Sequence, residues 1–279
     1  MNHPYTGITA FLPTKHGKEA AIKAGFEGII DIAVTTIEVD TDSLGTFSGE
    51  VERKLSPFDT AVKKTELAHQ QSGENFFIAS EGSIGNDLRI PFIISDNELL
   101  IFRDVERNLI ISENHTSFDI KAERIEMQLG QEIDEFLAKS DFPRHGLIAK
   151  GIDFLRTKPI KGIRDRESLE RAIFEIAQTS PAIILENDFR ANQSPSRMAN
   201  IEAAARKLAL RIGELCLECG TPGFGVVDVT RGVRCGECHR LNPEALHQEK
   251  LGCYVCPATS LGKILWEELP AEKCIFCNP

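Results

Sequence analysis

All eight cysteines of this 279-residue chain lie after residue 215, and they form four Cys-x-x-Cys pairs: Cys216/Cys219, Cys235/Cys238, Cys253/Cys256 and Cys274/Cys277. A two-residue gap lets both sulfurs face one ion while the amides between them turn inward, and tetrahedral zinc takes two such pairs. Two zinc ions with four thiolates each are therefore expected. Full thiolate ligation leaves no position for water, so both would be structural. The segments between the pairs hold 15, 14 and 17 residues. Gly220 suits a tight turn after the first pair, and the strand-like run 225–229 with the turn-forming Arg231-Gly232 suits a hairpin between the first and second pairs. That favours sequential pairing, with Cys216, Cys219, Cys235 and Cys238 on one ion and Cys253, Cys256, Cys274 and Cys277 on the other. An interleaved cross-brace is the rival. His239 and His247 read as spectators, and Trp266 as the cap of a small core.

A stretch this short, with few large side chains, cannot fold on apolar burial alone, so metal must supply the missing free energy. From Arg211 onward nine acidic residues face seven basic ones. That balance suits a protein contact better than a nucleic-acid one.

Three polar clusters precede the cysteines. Thr14, Lys15, His16, Gly17 and Lys18 fall at a strand-to-helix turn, where backbone amides and lysine suit phosphate, although the P-loop spacing is absent. Asp59 and Lys64 on an early helix, with Glu81 and Ser83 after a buried strand, could hold magnesium between two carboxylates and leave lysine for phosphate oxygens. Asp59 has the simpler alternative of capping its helix. The third cluster spans 186–197. There Asp188, Arg190, Asn192 and Arg197 crowd one loop, and the arginines suit an anionic ligand or an ion pair with the acidic cluster. His145 precedes a strand and is a further candidate for the site.

The elements that position these residues alternate between strand and helix, the pattern of a layered α/β domain. Strands are expected at 7–13, 30–39 and 75–80. A helix capped by Ser56 with Pro57 in its first turn should run to about Gln71. Antiparallel strands at 90–94, 98–103 and 108–112 read as a β insertion. Helices follow near 130–138 and 166–178, with strands at 147–150 and 182–186. The best-defined helix carries Met198, Ile201, Ala205, Leu208, Ile212 and Leu215 on one face, with Arg206, Lys207 and Arg211 on a solvated one. A boundary near Leu215 divides the chain into 1–215, an α/β domain that binds nucleotide or phosphate, and 216–279, a double zinc ribbon.

The landmarks Thr14-Lys-His-Gly-Lys-Glu19, Asp42-Ser-Leu-Gly-Thr-Phe-Ser-Gly-Glu50, Ala79-Ser-Glu-Gly-Ser83, Ser194-Pro-Ser-Arg-Met198 and Cys277-Asn-Pro279 resemble a bacterial family of unknown function over about residues 14–279. More distantly, residues 8–85 are similar to the inosine triphosphatase superfamily, which cuts noncanonical nucleoside triphosphates using magnesium. Thr14-Lys-His-Gly-Lys18 matches its first turn, with His16 in place of asparagine, and Asp59-Thr-Ala-Val-Lys-Lys64 matches its next helix. Glu81-Gly82 matches its acidic strand end, and Ser194-Pro-Ser-Arg197 its last helix start. The resemblance implies a mixed-sheet three-layer domain and a magnesium-dependent phosphohydrolase. Asp59 and Glu81 would serve metal and water, with Lys18, Lys64, Ser83, Arg190 and Arg197 on the nucleotide or phosphorylated ligand. The alternative is a ligand-binding protein without turnover, whose zinc ribbons contact a protein or nucleic acid.

A net charge of -10 argues against a general polyanion-coating role. No apolar run approaches the roughly 18 residues a membrane span needs, and the start lacks a signal-peptide layout, so a cytoplasmic protein without membrane contact is expected.

Overall fold

The computed structural model describes residues 3–14, 17–40, 55–87, 90–153 and 158–279. Lys15, His16 and the 42–50 landmark lie outside the described residues. The chain divides into two compact units, Gly7–Leu208 and Ala209–Pro279 with Met1–Thr6.

In the larger unit, β1 (Ile8–Pro13), β2 (Ile32–Ile37), β3 (Phe76–Asn86), β4 (Ile94–Asp104) and β5 (Leu109–Ser117) form one mixed sheet of order β2-β1-β3-β4-β5. β1 runs parallel to β2 and β3, whereas β3, β4 and β5 form an antiparallel meander. The expected β insertion is therefore a continuation of the first sheet. β3 does not stop at Ser80 but runs on to Asn86, and residues 90–93 form the turn into β4 rather than a strand. The polar letters Glu81-Gly-Ser83 hid this continuation, because each residue is paired across to β4 whatever its polarity.

α2 (Pro57–Ser72) covers one face of this sheet. Ser56 caps it, accepting from the Asp59 amide at 3.1 Å, and Gly73 closes it in the left-handed conformation that lacks a Cβ penalty. Its Ala61 packs with Ala79, Leu99 and Ile101, and its Ala68 with Phe77 and Val39. Side chains alternate along strands, so Ser80, Gly82, Asp96 and Glu98 face the other side. That side meets α5 (Pro195–Gly213), whose Asn200 donates to Asp96 and whose Lys207 donates to the Asn114 carbonyl. α1 (Glu19–Phe26) packs on α5 so closely that a Cβ on Gly25 would lie 2.6 Å from that of Ala205.

A second, antiparallel sheet of order β6-β9-β7-β8 comprises β6 (Arg124–Met127), β7 (Leu147–Gly151), β8 (Ile160–Ile163) and β9 (Ile183–Asn187). With α3 (Asp134–Lys139) and α4 (Arg166–Ala177) it encloses an apolar core including Phe136, Leu147, Leu169, Ile173, Ile183 and Leu185. β6 and β8 are four-residue strands too short to show a period in the sequence.

In the smaller unit β10 (Gly225–Cys235), β11 (Leu241–Gly252), β12 (Thr259–Ile264) and β13 (Glu268–Leu269) form a sheet of order β12-β11-β10-β13. The boundary falls inside α5, earlier than Leu215, at the helical turn that carries Arg211. Expected on a solvated face, it is buried, and its guanidinium donates to the Gly223 carbonyl at 2.7 Å, the Val226 carbonyl at 2.9 Å and the Tyr254 hydroxyl at 3.2 Å. The last helical turn thereby belongs to the cysteine unit. Among the described residues no helix is long and apolar enough to cross a membrane.

Candidate functional site

The eight thiols gather into two groups of four, Cys216 with Cys219, Cys253 and Cys256, and Cys235 with Cys238, Cys274 and Cys277. This corrects the sequential pairing favoured by spacing. No hairpin turns at Arg231-Gly232; β10 runs on from Gly225 to Cys235, roughly 30 Å at the strand rise, and carries the chain from the first knuckle to the second. β11 returns antiparallel, with Gly225 opposite Gly252, which sets the third knuckle beside the first. β12 crosses again, and β13 places Leu269 level with Cys235, delivering the fourth knuckle to the second. Strand direction, not sequence distance, decides which pairs meet.

Between knuckles the sulfurs stand 3.6 Å apart for Cys216–Cys256 and Cys219–Cys253, 3.7 Å for Cys238–Cys274 and 3.8 Å for Cys235–Cys277. Thiolates ~2.3 Å from a tetrahedral ion are ~3.8 Å from one another, so both groups have the geometry of a zinc site. The residue after the second cysteine adopts a positive φ in two knuckles, Gly220 at 70° and His239 at 58°. Amides of Glu237, Val255 and Phe276 point at Cys235, Cys253 and Cys274 sulfurs, and the Asn242 amide donates to Cys274 at 3.5 Å. His239 serves the knuckle turn and His247 meets the Trp266 carbonyl at 2.9 Å, so neither histidine belongs to a cysteine group.

The second site lies where β3 outruns β1. Phe11 is opposite Phe77, so β1 ends level with Ala79, and among the described residues the next part of β3 pairs with β4 alone. Here β3 turns Glu81 toward α2 and Ser80 and Gly82 to the opposite face. Lys18, from the turn after β1, reaches it and donates to Ser80 Oγ at 3.0 Å. Lys64 of α2 pairs with Glu81 at 2.5 Å. Arg197, in the first turn of α5, donates through Nε to Glu98 at 2.6 Å and through Nη1 to the Phe189 carbonyl at 2.7 Å. Gly82, opposite Glu98, makes this possible, because a Cβ there would collide with the Arg197 guanidinium and the Glu98 carboxylate.

All of these charges are buried except the half-buried Lys64. Lys18 is pulled down to about 7, first by burial and then by the Arg197 guanidinium, with Lys64 adding to the effect and Glu98 and Glu81 opposing it. The charges therefore act on one another as a single cluster. Asp96 is pushed up to about 7, first by burial and then by Glu98, whose carboxyl lies within hydrogen-bond range. Asp96 Oδ1 and Glu98 Oε2 are buried oxygens with no donor among the described residues.

Of the residues expected from sequence, Lys18, Lys64, Glu81 and Arg197 are thus brought together. Asp59 is not. It is exposed at the start of α2, where its carboxylate accepts from the Ser56 hydroxyl at 2.6 Å, which is the capping alternative. Among the described residues only cysteines gather in ligand-like sets of three or more. Ser83 is exposed on β3 beside Gly82. The Arg190 guanidinium is held by Asp188, with Nη2 at 2.5 Å from Oδ2, in the loop between β9 and α5. Sequence reasoning missed Ser80, Asp96, Glu98 and Asn200. The signal was present in Ile94-Ser-Asp-Asn-Glu-Leu-Leu-Ile-Phe102, where two acids two residues apart share the face of a strand that is otherwise apolar.

A family model described as "Domain of unknown function (DUF6671)" matches residues 64–279. The match takes in the Ala79–Ser83, Ser194–Met198 and Cys277–Pro279 landmarks and begins after those at 14–19 and 42–50. It includes few of the residues 8–85 on which the likeness to inosine triphosphatases rests. No curated protein matches the chain.

Proposed function

The chain belongs to this family of unknown function, and we propose that its α/β unit is a magnesium-dependent phosphohydrolase acting on a nucleotide or related phosphoanhydride, next to a structural zinc module. What carries the proposal is the convergence of Lys18, Lys64 and Arg197 with Glu81 and Glu98 at the gap where β3 outruns β1. An arriving phosphate holds Lys18 in its charged form and offsets the desolvation that lowers it. Arg197 supplies a rigid donor fork already oriented by Glu98. Glu81 and Glu98 are the carboxylates available to orient water. Magnesium usually binds through one or two carboxylates plus substrate phosphates, so this donor set fits an ion that comes with the nucleotide rather than one held in a protein cage. When bound, it would neutralise charge developing on the phosphate oxygens.

The cysteine groups are proposed to hold one zinc each, with a structural role. Leu217 and Val255 at one end of the module, and Ile275 and Phe276 at the other, expose apolar side chains from the knuckles, which supports a protein partner.

Pyrophosphate release from a panel of nucleoside triphosphates with magnesium tests the hydrolase. Turnover is expected to fall about 10²-fold in Glu81→Gln, whereas Asp59→Asn, at a carboxylate that accepts from the capping Ser56 hydroxyl, should leave it unchanged. Binding without turnover would favour a non-enzymatic ligand-binding protein. Absence of both for every phosphorylated ligand would reject either reading.

A further inference from the structure

One residue before Arg197, Ser196 belongs to a second set of hydrogen-bonded groups. His145, immediately before β7, is buried, and its two ring nitrogens meet different partners. Nδ1 lies 2.9 Å from Asp141 Oδ2, and Nε2 lies 3.0 Å from Ser196 Oγ. The Ser196 backbone N–H also points at Nε2, at 3.2 Å. A backbone N–H can only donate, so Nε2 must be the acceptor. The ring proton is then on Nδ1, directed at Asp141. Burial lowers the imidazole from its ordinary value although Asp141 opposes this, which keeps it neutral. The Lys121 backbone N–H donates to Ser196 Oγ at 3.3 Å, and Nε2 at 3.0 Å is a nearer acceptor for the hydroxyl proton than Ser194 Oγ at 3.5 Å.

This is the tautomer and order that activate a serine: hydroxyl, unprotonated imidazole nitrogen, and a carboxylate fixing the far side of the ring. Each member is held by the fold. Ser196 is in the first turn of α5 and only half-buried. His145 N bonds the Asp141 carbonyl at 2.9 Å, and Gly146 N bonds the Gln193 carbonyl at 2.9 Å, tying the histidine segment to the one that leads into α5. A Cβ on Gly146 would lie 2.6 Å from the Gln193 side chain, so glycine is required for that approach.

We propose that Ser196, His145 and Asp141 form a nucleophile, general base and orienting carboxylate that hydrolyse carboxylic esters. Ser196 Oγ bonds to the ester carbonyl carbon as its proton passes to His145 Nε2. The imidazolium gives that proton to the departing alkoxide as the carbon–oxygen bond breaks. Water then bonds to the acyl carbon as its proton passes to the same nitrogen, and the imidazolium returns that proton to Ser196 Oγ as the acyl carbon–Oγ bond breaks and the carboxylic acid leaves. Arg144, 3.5 Å from Asp141, and Lys121 place positive charge around the imidazole, which suits an ester whose acyl part is anionic.

A fluorophosphonate probe on the full-length protein, with the adduct mapped by mass spectrometry, tests this independently of any phosphohydrolase activity. The adduct is expected on Ser196 and absent in Ser196→Ala. His145→Gln and Asp141→Asn, checked for retained melting temperature, should label at least about 10²-fold more slowly. Wild-type protein left unlabelled at Ser196 beside a labelled serine-hydrolase control would overturn the proposal, as would labelling that ignores His145→Gln.

Discussion

The two units hold themselves together by different means. Around the second sheet of Gly7–Leu208, Leu147, Leu169 and Leu185 are fully buried in a continuous apolar cluster. Beyond Tyr5 and the helix end with Ala209, Arg211 and Ile212, the cysteine unit buries Val233, Leu269, Asn242 and three of its own cysteines, while Leu217, Val255 and Leu261 stand in solvent. Its strands cross the sheet three times, and the thiolates fasten the two ends. The difference teaches where polar chemistry can be placed. A unit without an apolar core must use its reactive groups as fasteners, whereas the α/β unit has enough apolar support to bury Lys18, Glu98 and Arg197 together and absorb the cost.

Removing metal should break this comparison most visibly. A structural zinc site contributes roughly 10–16 kcal/mol in small modules, so chelation should make residues 209–279 protease-sensitive while 7–208 stays resistant. Limited proteolysis with metal analysis checks this. The double change Cys216→Ser with Cys253→Ser sharpens it, since interleaved pairing predicts one zinc retained and sequential pairing predicts none.

Next in size is the buried pair. Arg197→Met leaves the buried Glu98 carboxyl without its guanidinium, and should cost about 3–5 kcal/mol in thermal or urea unfolding. Adding Glu98→Gln should recover part of the loss. If both units depended only on metal, neither change would register.

The smallest expected effect is on pH. Lys18 has a folded-state value of about 7 against 10.5 unfolded, so between these limits the unfolded chain holds a proton that the ligand-free folded chain has lost. Stability from this group therefore rises with pH across that window. Binding of an anionic ligand needs the ammonium, and its affinity should fall by up to about tenfold per pH unit above 7. Calorimetric titration should find this slope in wild-type protein and lose it in Lys18→Met.

Much of the fold was legible in the sequence. Ser56-Pro57 and Gly73 mark both ends of α2 because caps are local chemistry, and the stripe Ile201, Ala205, Leu208 and Ile212 is fully buried as its spacing requires. Arg211 misled because a charge at the edge of an amphipathic stripe reads as solvated, and only strands far along the chain supply the carbonyls that bury it. Asp96 and Glu98 were passed over because acids in a strand usually face water, and the helix that covers them arrives a hundred residues later.

By itself the sequence determined the ligand chemistry, since Cys-x-x-Cys is a local geometry that positions two sulfurs whatever surrounds it. It determined also the capped helices and several of the cations and carboxylates of the charge cluster. Tertiary structure alone decided which knuckles share an ion, that Asp59 stays at a helix end, and that Ser196 meets His145. The physical reason is the same in each case: contacts between distant segments follow from strand direction and register, and neither is encoded in the spacing of the residues that meet.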